Sequence, residues 1–242
     1  MAEVYGDHYF SGGQGGYPDY LRDGSMLRER GQMYADIVAG HTVAGRVVDI
    51  GCAAGFVLGG FIDRGWTGTG VEPNPQMAAY AQQRLGLDVV CAPVEMAEIP
   101  GPFNVVSMIQ VLPHLIDPLG VVRSLVRRLP FGGLLLVETW DRNSTAARLW
   151  GQRWHEYDPP RVLHWFDRPG LADMMARVGL SRIDEGQPQR YITALHARSL
   201  MEHTLGSGMA AKALTAPLRL FPERFRLRYP MDDLFWMLFQ KK

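Results

Sequence analysis

The stretch Val47-Val48-Asp49-Ile50-Gly51-Cys52-Ala53-Ala54-Gly55 decides how the rest of this 242-residue chain is read. An apolar run ends in a carboxylate and breaks at once into a glycine turn, and a helical pattern running to Arg64 follows. Strand, turn and helix in that order gather backbone N–H groups at one point. Glycine lets a ligand come close to the main chain there, and the first helical turn offers N–H groups with no partner of their own.

Outward from this unit the same alternation continues. A helix is expected over residues 25–40, before the first strand. After it come Trp66–Val71, a helix over Asn74–Leu85, Val89–Cys91, Val105–Ile109 and a helix from Asp117 to Leu129. Leu134–Trp140, a helix over Pro169–Val178 and Leu180–Ile183 complete the series. Asp117 before Pro118 and Asp167 before Pro169 read as helix starts, and Gly86 and Gly179 as helix stops. Alternating β and α units predict a parallel sheet with helices on both faces.

The tail breaks this rhythm. A helical insertion is expected over about 186–222, then a basic-apolar alternation from Arg224 to Tyr229, then the aromatic run Leu234–Gln240. That run suits a strand covered on both faces. The whole is read as a single domain: a cap over 1–40, a cofactor-binding core over 41–184, the insertion over 185–232 and the last strand over 233–242.

Lys+Arg and Asp+Glu balance at 25 each, so no global field points to nucleic acid or to an anionic membrane. Apolar runs fall short of the ~20 residues that cross a bilayer. The N-terminus lacks a basic segment followed by an apolar one, and Cys52 and Cys91 form no CxxC pair. A cytoplasmic protein without a structural zinc or disulfide framework is the expectation.

Glu72 ends the second strand, where an acceptor-only carboxylate can receive both hydroxyls of a ribose. Two nucleotide cofactors compete for such a site. A dinucleotide turn wants G-x-G-x-x-G, yet Ala53 and Phe56 hold the second and third glycine positions. That turn also has no need of an acid just before its first glycine. A methionine-bearing cofactor brings an ammonium group to the turn and does need one, which Asp49 supplies.

On these residues the chain from Val47 to about Ile183 resembles the class I S-adenosylmethionine (SAM)-dependent methyltransferases, particularly the small-molecule enzymes that include those of quinone biosynthesis. Asp49 to Gly55 is similar to the family's glycine-rich first motif, and Glu72 to its ribose-binding acid. Phe103 to Leu115 resembles the fourth strand and its loop, and Leu129 to Thr139 the turn into the fifth. The resemblance implies a Rossmann-like seven-stranded, mostly parallel sheet whose last strand runs antiparallel between the fifth and sixth. It implies SAM as cofactor, held by Asp49, Gly51, Cys52, Ala53 and Gly55 at the turn and by Glu72 with Pro73 at the ribose. Pro93, Val94 and Glu95 would meet the adenine, Gln110 would follow the fourth strand into the site, and Tyr9 would fold over the cofactor from a segment that also holds Tyr5 and Tyr17. Two departures stand out. Ala53 replaces the middle glycine, at little cost where φ is negative, and Asn104 replaces an acid that opens the fourth strand.

The expected reaction is methyl transfer to a small-molecule acceptor, with a hydroxyl oxygen as first choice. His114, on the loop after the fourth strand, is the first candidate for its base, His164 the second and His155 the third. The aromatic stretch from Trp154 to Phe166 would wall the acceptor pocket. Asp141 and Asn143 sit where a magnesium-dependent relative would have ligands, but Gln110 stands where a matching acid is needed, so no metal is expected. Rival readings are an NAD(P)-dependent oxidoreductase and a non-catalytic SAM-binding relative. The arginines 219, 224, 226 and 228, with Phe221, Phe225 and Tyr229, are read as a solvated face.

Overall fold

Side chains along each central strand alternate between two cores, and this alternation sets the architecture. In a computed structural model, residues 20–188, 191–195, 197, 198, 201, 216–222, 225–228 and 232–242 are described. Tyr5, Tyr9 and Tyr17 lie outside them. The strands are β1 (Arg46–Ile50), β2 (Thr67–Val71), β3 (Val89–Val90), β4 (Val105–Ile109), β5 (Leu134–Trp140), β6 (Leu180–Gly186), β7 (Tyr191–Thr193), β8 (Arg226–Arg228) and β9 (Leu234–Lys241). The helices are α1 (Gly24–Ala39), α2 (Phe56–Asp63), α3 (Pro75–Leu85), α4 (Pro118–Arg128), α5 (Thr145–Trp150) and α6 (Arg168–Ala176).

Seven strands form one sheet in the order β3-β2-β1-β4-β5-β9-β6. β1 to β5 pair in parallel, while β9 runs antiparallel to both β5 and β6. Val48, Val106, Leu135, Val137, Phe235 and Phe239 face one core with α4 and α6. Val47, Val105, Leu134, Leu136 and Leu238 face the other with Tyr34 and Val38 of α1 and Leu58 and Phe61 of α2. Phe235 and Phe239 are wholly buried, and each such ring contributes about 1.5–3 kcal/mol relative to exposure. That is why the aromatic run inserts between β5 and β6 rather than at the sheet's edge.

Local signals account for the helix boundaries. Asn74 caps α3 by accepting from the N–H groups of Gln76 and Met77, and Asp117 and Asp167 cap α4 and α6 in the same way. α1 lies against α2 at backbone contact. A Cβ on Gly31 would fall 2.2 Å from the carbonyl oxygen of Val57, so a larger residue would push the two helices apart.

The tail departs from expectation. Strand β6 runs on to Gly186, and Tyr191–Thr193 forms β7, which pairs with Arg226–Arg228 in a separate two-stranded sheet. The expected helical insertion thus contains a strand, because Tyr191, Ile192 and Thr193 find partners 33 to 37 positions along the chain that no local pattern announces. The rest of that insertion falls largely outside the described residues. Helix α5, capped by Ser144, was not anticipated either: at six residues it is too short to show a period. No described helix is long and apolar enough to cross a membrane.

Candidate functional site

The carboxyl ends of β1, β2 and β4 meet under the glycine turn. Gly51 and Cys52 both donate their N–H groups to the carbonyl of Val71, which closes the turn onto β2. Gly51 has φ +66°, and a Cβ there would lie 2.5 Å from Val111, so the loop after β4 rests directly on it. Ala53 has φ +46°. The expectation of a cheap alanine is thereby corrected: a left-handed non-glycine residue costs about 1–2 kcal/mol. The backbone there is held in place by Glu72, which accepts the N–H of Ala53 at 2.8 Å.

Glu72 is 4% exposed, and its other oxygen accepts the N–H of Asn74 at 2.8 Å. Burial pushes its carboxyl up, opposed by these two hydrogen bonds. Each oxygen has a second lone pair, so both remain able to receive a hydroxyl. Asp49 is 2% exposed and faces the same side of the sheet as Ser107, its register partner on β4. The Ser107 hydroxyl donates to Oδ1 at 2.5 Å, whereas Oδ2 is buried with no partner. Burial pushes the carboxyl up to about 7, with the Ser107 bond opposing and the nearby Glu72 charge adding to the rise. A buried acceptor of this kind calls for a donor, and best a cation.

Helix α2 supplies the second half of the site. It begins at Gly55, which has φ +80° and gives no side-chain cap, in contrast to α3, α4, α5 and α6. Its first N–H groups are open to a ligand beside the turn. The Cys52 side chain, by contrast, packs with Ala78, Ala81 and Val89, so any contact it makes with a ligand comes through its backbone. Phe56 stands where a dinucleotide turn would have its third glycine and packs between Tyr20 and Tyr80. Pro73 is exposed between Glu72 and Asn74. Pro93 and Glu95 are exposed on the turn after β3, with Val94 half-buried between them.

Gln110 follows β4 with φ +59°, and its Nε2 is buried without a partner. Beyond it, His114 is held by a bond from Nδ1 to the carbonyl of Arg161 at 2.9 Å. A carbonyl only accepts, so Nδ1 carries the proton and Nε2 is the basic nitrogen. Burial lowers the imidazole's pKa, against the hydrogen bond to Arg161 and the charge of Asp158, and keeps the ring neutral. The carbonyl of Pro113 receives the N–H groups of Leu163 and His164 at 2.9 and 3.2 Å. The structure therefore ties the loop after β4 to the aromatic stretch after β5 and brings His114 and His164 to the same junction. His155 packs instead edge-on to Trp140, with ring centroids 4.7 Å apart, inside a cluster of Trp140, Trp154, Ile192 and Leu234. Asp141 accepts the N–H of Asn143 and faces Arg168 at 3.7 Å.

Asn104, the second departure, keeps its structural function, since its Oδ1 accepts the N–H of Arg46 at 3.1 Å. Sequence reasoning missed Ser107 and Glu138. Glu138 is wholly buried on β5, where Arg30 and Tyr34 of α1 both donate to its Oε2. The signal for both was available: one polar residue at a strand position whose neighbours on the same face are apolar or already assigned.

A family model described as a methyltransferase domain matches residues 26–185. The ubiquinone biosynthesis O-methyltransferase of Caulobacter sp. (strain K31) is 34% identical over 135 residues, covering 53% of this chain and 51% of that protein. The chain thus spans about half the length of the curated relatives it matches. Among solved structures, a methyltransferase of Thermotoga maritima titled a possible histamine N-methyltransferase has a TM-score of 0.57 at 20% identity, covering 92% of this chain and 94% of that one. Magnesium protoporphyrin IX methyltransferase of Synechocystis PCC 6803, solved with bound S-adenosylhomocysteine (SAH), has a TM-score of 0.58 at 13% identity, covering 99% and 92%. These two likenesses concern the fold.

Proposed function

Because the chain belongs to the methyltransferase-domain family, we propose that it transfers a methyl group from SAM to a hydroxyl oxygen of a small-molecule acceptor. The observation that carries this reading is Asp49: a buried carboxylate oxygen without a partner, next to the glycine turn and the uncapped start of α2. SAM, when bound, supplies an electrophilic methyl group on a sulfonium. Asp49 Oδ2 would take its ammonium group, and the two oxygens of Glu72 would take its ribose hydroxyls. The open N–H groups of α2 suit its carboxylate. A nicotinamide cofactor finds less support, because Phe56 fills the space where its turn needs glycine.

Transfer itself is an in-line displacement, for which alignment can supply on the order of 7–11 kcal/mol. His114 supports the choice of oxygen. Its neutral ring presents Nε2 as a base, and removal of a hydroxyl proton adds about 10²–10⁴-fold. The Caulobacter relative, named for O-methylation, points the same way.

Titration calorimetry with SAH, SAM and NADH tests the reading. SAH and SAM should bind and NADH should not. Glu72→Ala should weaken SAH by at least about 10-fold, because hydrogen bonds to a charged acceptor are worth about 1.5–3 kcal/mol each. Unchanged affinity in that variant would remove Glu72 from the ribose.

A further inference from the structure

Glu138 does more than its structural contacts require. Its Oε2 is satisfied twice over, by the guanidinium of Arg30 and the hydroxyl of Tyr34, and these bonds pin α1 to β5. Burial and the charge of Glu138 push the Tyr34 phenol well up, so it keeps its proton and donates. Nε of the same Arg30 is buried without a partner. Oε1 of Glu138 is likewise buried with no partner, and so is Nε2 of Gln110, whose N–H bonds the carbonyl of Glu138 at 2.9 Å. Buried polar atoms in native proteins are nearly always satisfied. Oε1 of Glu138 is therefore an acceptor still open to a donor at the carboxyl end of β5.

Strand register places that surface. Asp49 pairs with Ser107, Ser107 with Leu136, and Ile109 with Glu138. Glu138 thus lies on the same face of the sheet as Asp49, two strands across and one pleat nearer the carboxyl edge. From strand spacings the two Cα positions are on the order of 12 Å apart. The line between them crosses β4 near Met108, on the way to its carboxyl end.

We propose that Glu138 is a further substrate-binding residue, whose Oε1 accepts a hydrogen bond from an O–H or N–H group of the acceptor beside the methyl-transfer position. The chemistry follows from the atoms. A carboxylate beside a guanidinium only accepts, and the amide nitrogen of Gln110 only donates. A guest of Oε1 must offer a donor, which a hydroxyl or an amine does and a purely hydrocarbon acceptor does not. This inference rests on the function proposed above and narrows its acceptor to one with a polar donor at the reacting end.

Sinefungin is the probe, because it carries an amine on the carbon that replaces the methylated sulfur of SAM. That amine offers N–H donors at the methyl position without any acceptor having to be known. Calorimetry on the full chain should show sinefungin binding more tightly than SAH. In Glu138→Gln, sinefungin affinity should fall about 10-fold, the size of one lost hydrogen bond to a charged group, while SAH stays within about threefold. Tyr34→Phe removes a donor to Oε2 but leaves Oε1 in place, so it should keep the preference for sinefungin. Equal losses for both ligands in Glu138→Gln, or a loss of preference in Tyr34→Phe as large as in Glu138→Gln, would reduce Glu138 to a structural residue. If Glu138→Gln does not fold, the wild type decides: sinefungin no tighter than SAH overturns the proposal. Failure of the wild type to bind SAH would sink the functional reading and this one with it. SAH binding without discrimination sinks this one alone.

Discussion

The two halves of the site are built on different scales of sequence. At the glycine turn, Glu72 bonds residues 2 and 19 positions away. Toward the acceptor side, His114 reaches Arg161 across 47 positions, Trp154 reaches Asp233 across 79, and Arg30 reaches Glu138 across 108. The first half is mostly one strand-turn-helix unit with its neighbouring strand, and only the Ser107 bond to Asp49, across 58 positions, reaches beyond it. The second exists only once α1, the loops after β4 and β5, and β9 have all docked.

The largest effect that would sharpen this contrast lies in the acceptor half. Once an acceptor is found, His114→Ala should lower kcat by about 10²–10⁴-fold while SAH affinity stays unchanged. His164→Ala should act less. Because burial lowers the His114 pKa, the acid limb of the wild-type rate should lie below the ordinary imidazole range. A limb centred at or above pH 7 would assign the base elsewhere.

Asp49→Ala tests the other half. A buried cation would lose its partner, and SAH affinity should drop by about 30–100-fold with circular dichroism unchanged. A loss of less than about threefold would break the assignment of the ammonium site.

The pH dependence of SAH binding follows from the same residue. Asp49 titrates near 7 in the free protein, and its charged form is the one that pairs with an ammonium. Affinity should therefore rise with pH through this range, by up to about 10-fold per unit below 7, and level off above it. For the free protein the sign is opposite. A carboxyl whose folded pKa is raised binds more protons folded than unfolded, so its contribution to stability declines as pH climbs from about 4 to 7. Calorimetric titrations and thermal melts at matched pH values would show the two trends crossing. Affinity independent of pH would count against Asp49 as the charged partner.

The smallest effect belongs to Ala53. Its φ of +46° is strained, so Ala53→Gly should stabilise the fold by about 1 kcal/mol, read as a few degrees in Tm, with SAH affinity within about twofold. Destabilisation would mean that the alanine methyl gains more from packing than the backbone loses.

The chain's local periodicities determined the elements of the parallel core, the caps at Asn74, Asp117 and Asp167, and the placing of Asp49 and Glu72 at the ends of two strands beside a glycine turn. Each depends on residues within one strand-turn-helix unit, where spacing alone dictates which side chains share a face. Only the tertiary structure decided the rest. The positive φ at Ala53 shows only in the folded turn, where Glu72 accepts its N–H, and the Ser107 hydroxyl meets Asp49 only through the register of β1 on β4. The strand at Tyr191–Thr193 needs β8 to exist, and the neutral His114 needs Arg161 to fix its tautomer. Glu138 reads in sequence as a stray charge in an apolar strand. Arg30 and Tyr34 give it meaning, and a cation and a phenol from a helix more than a hundred residues away leave no period for a sequence to show.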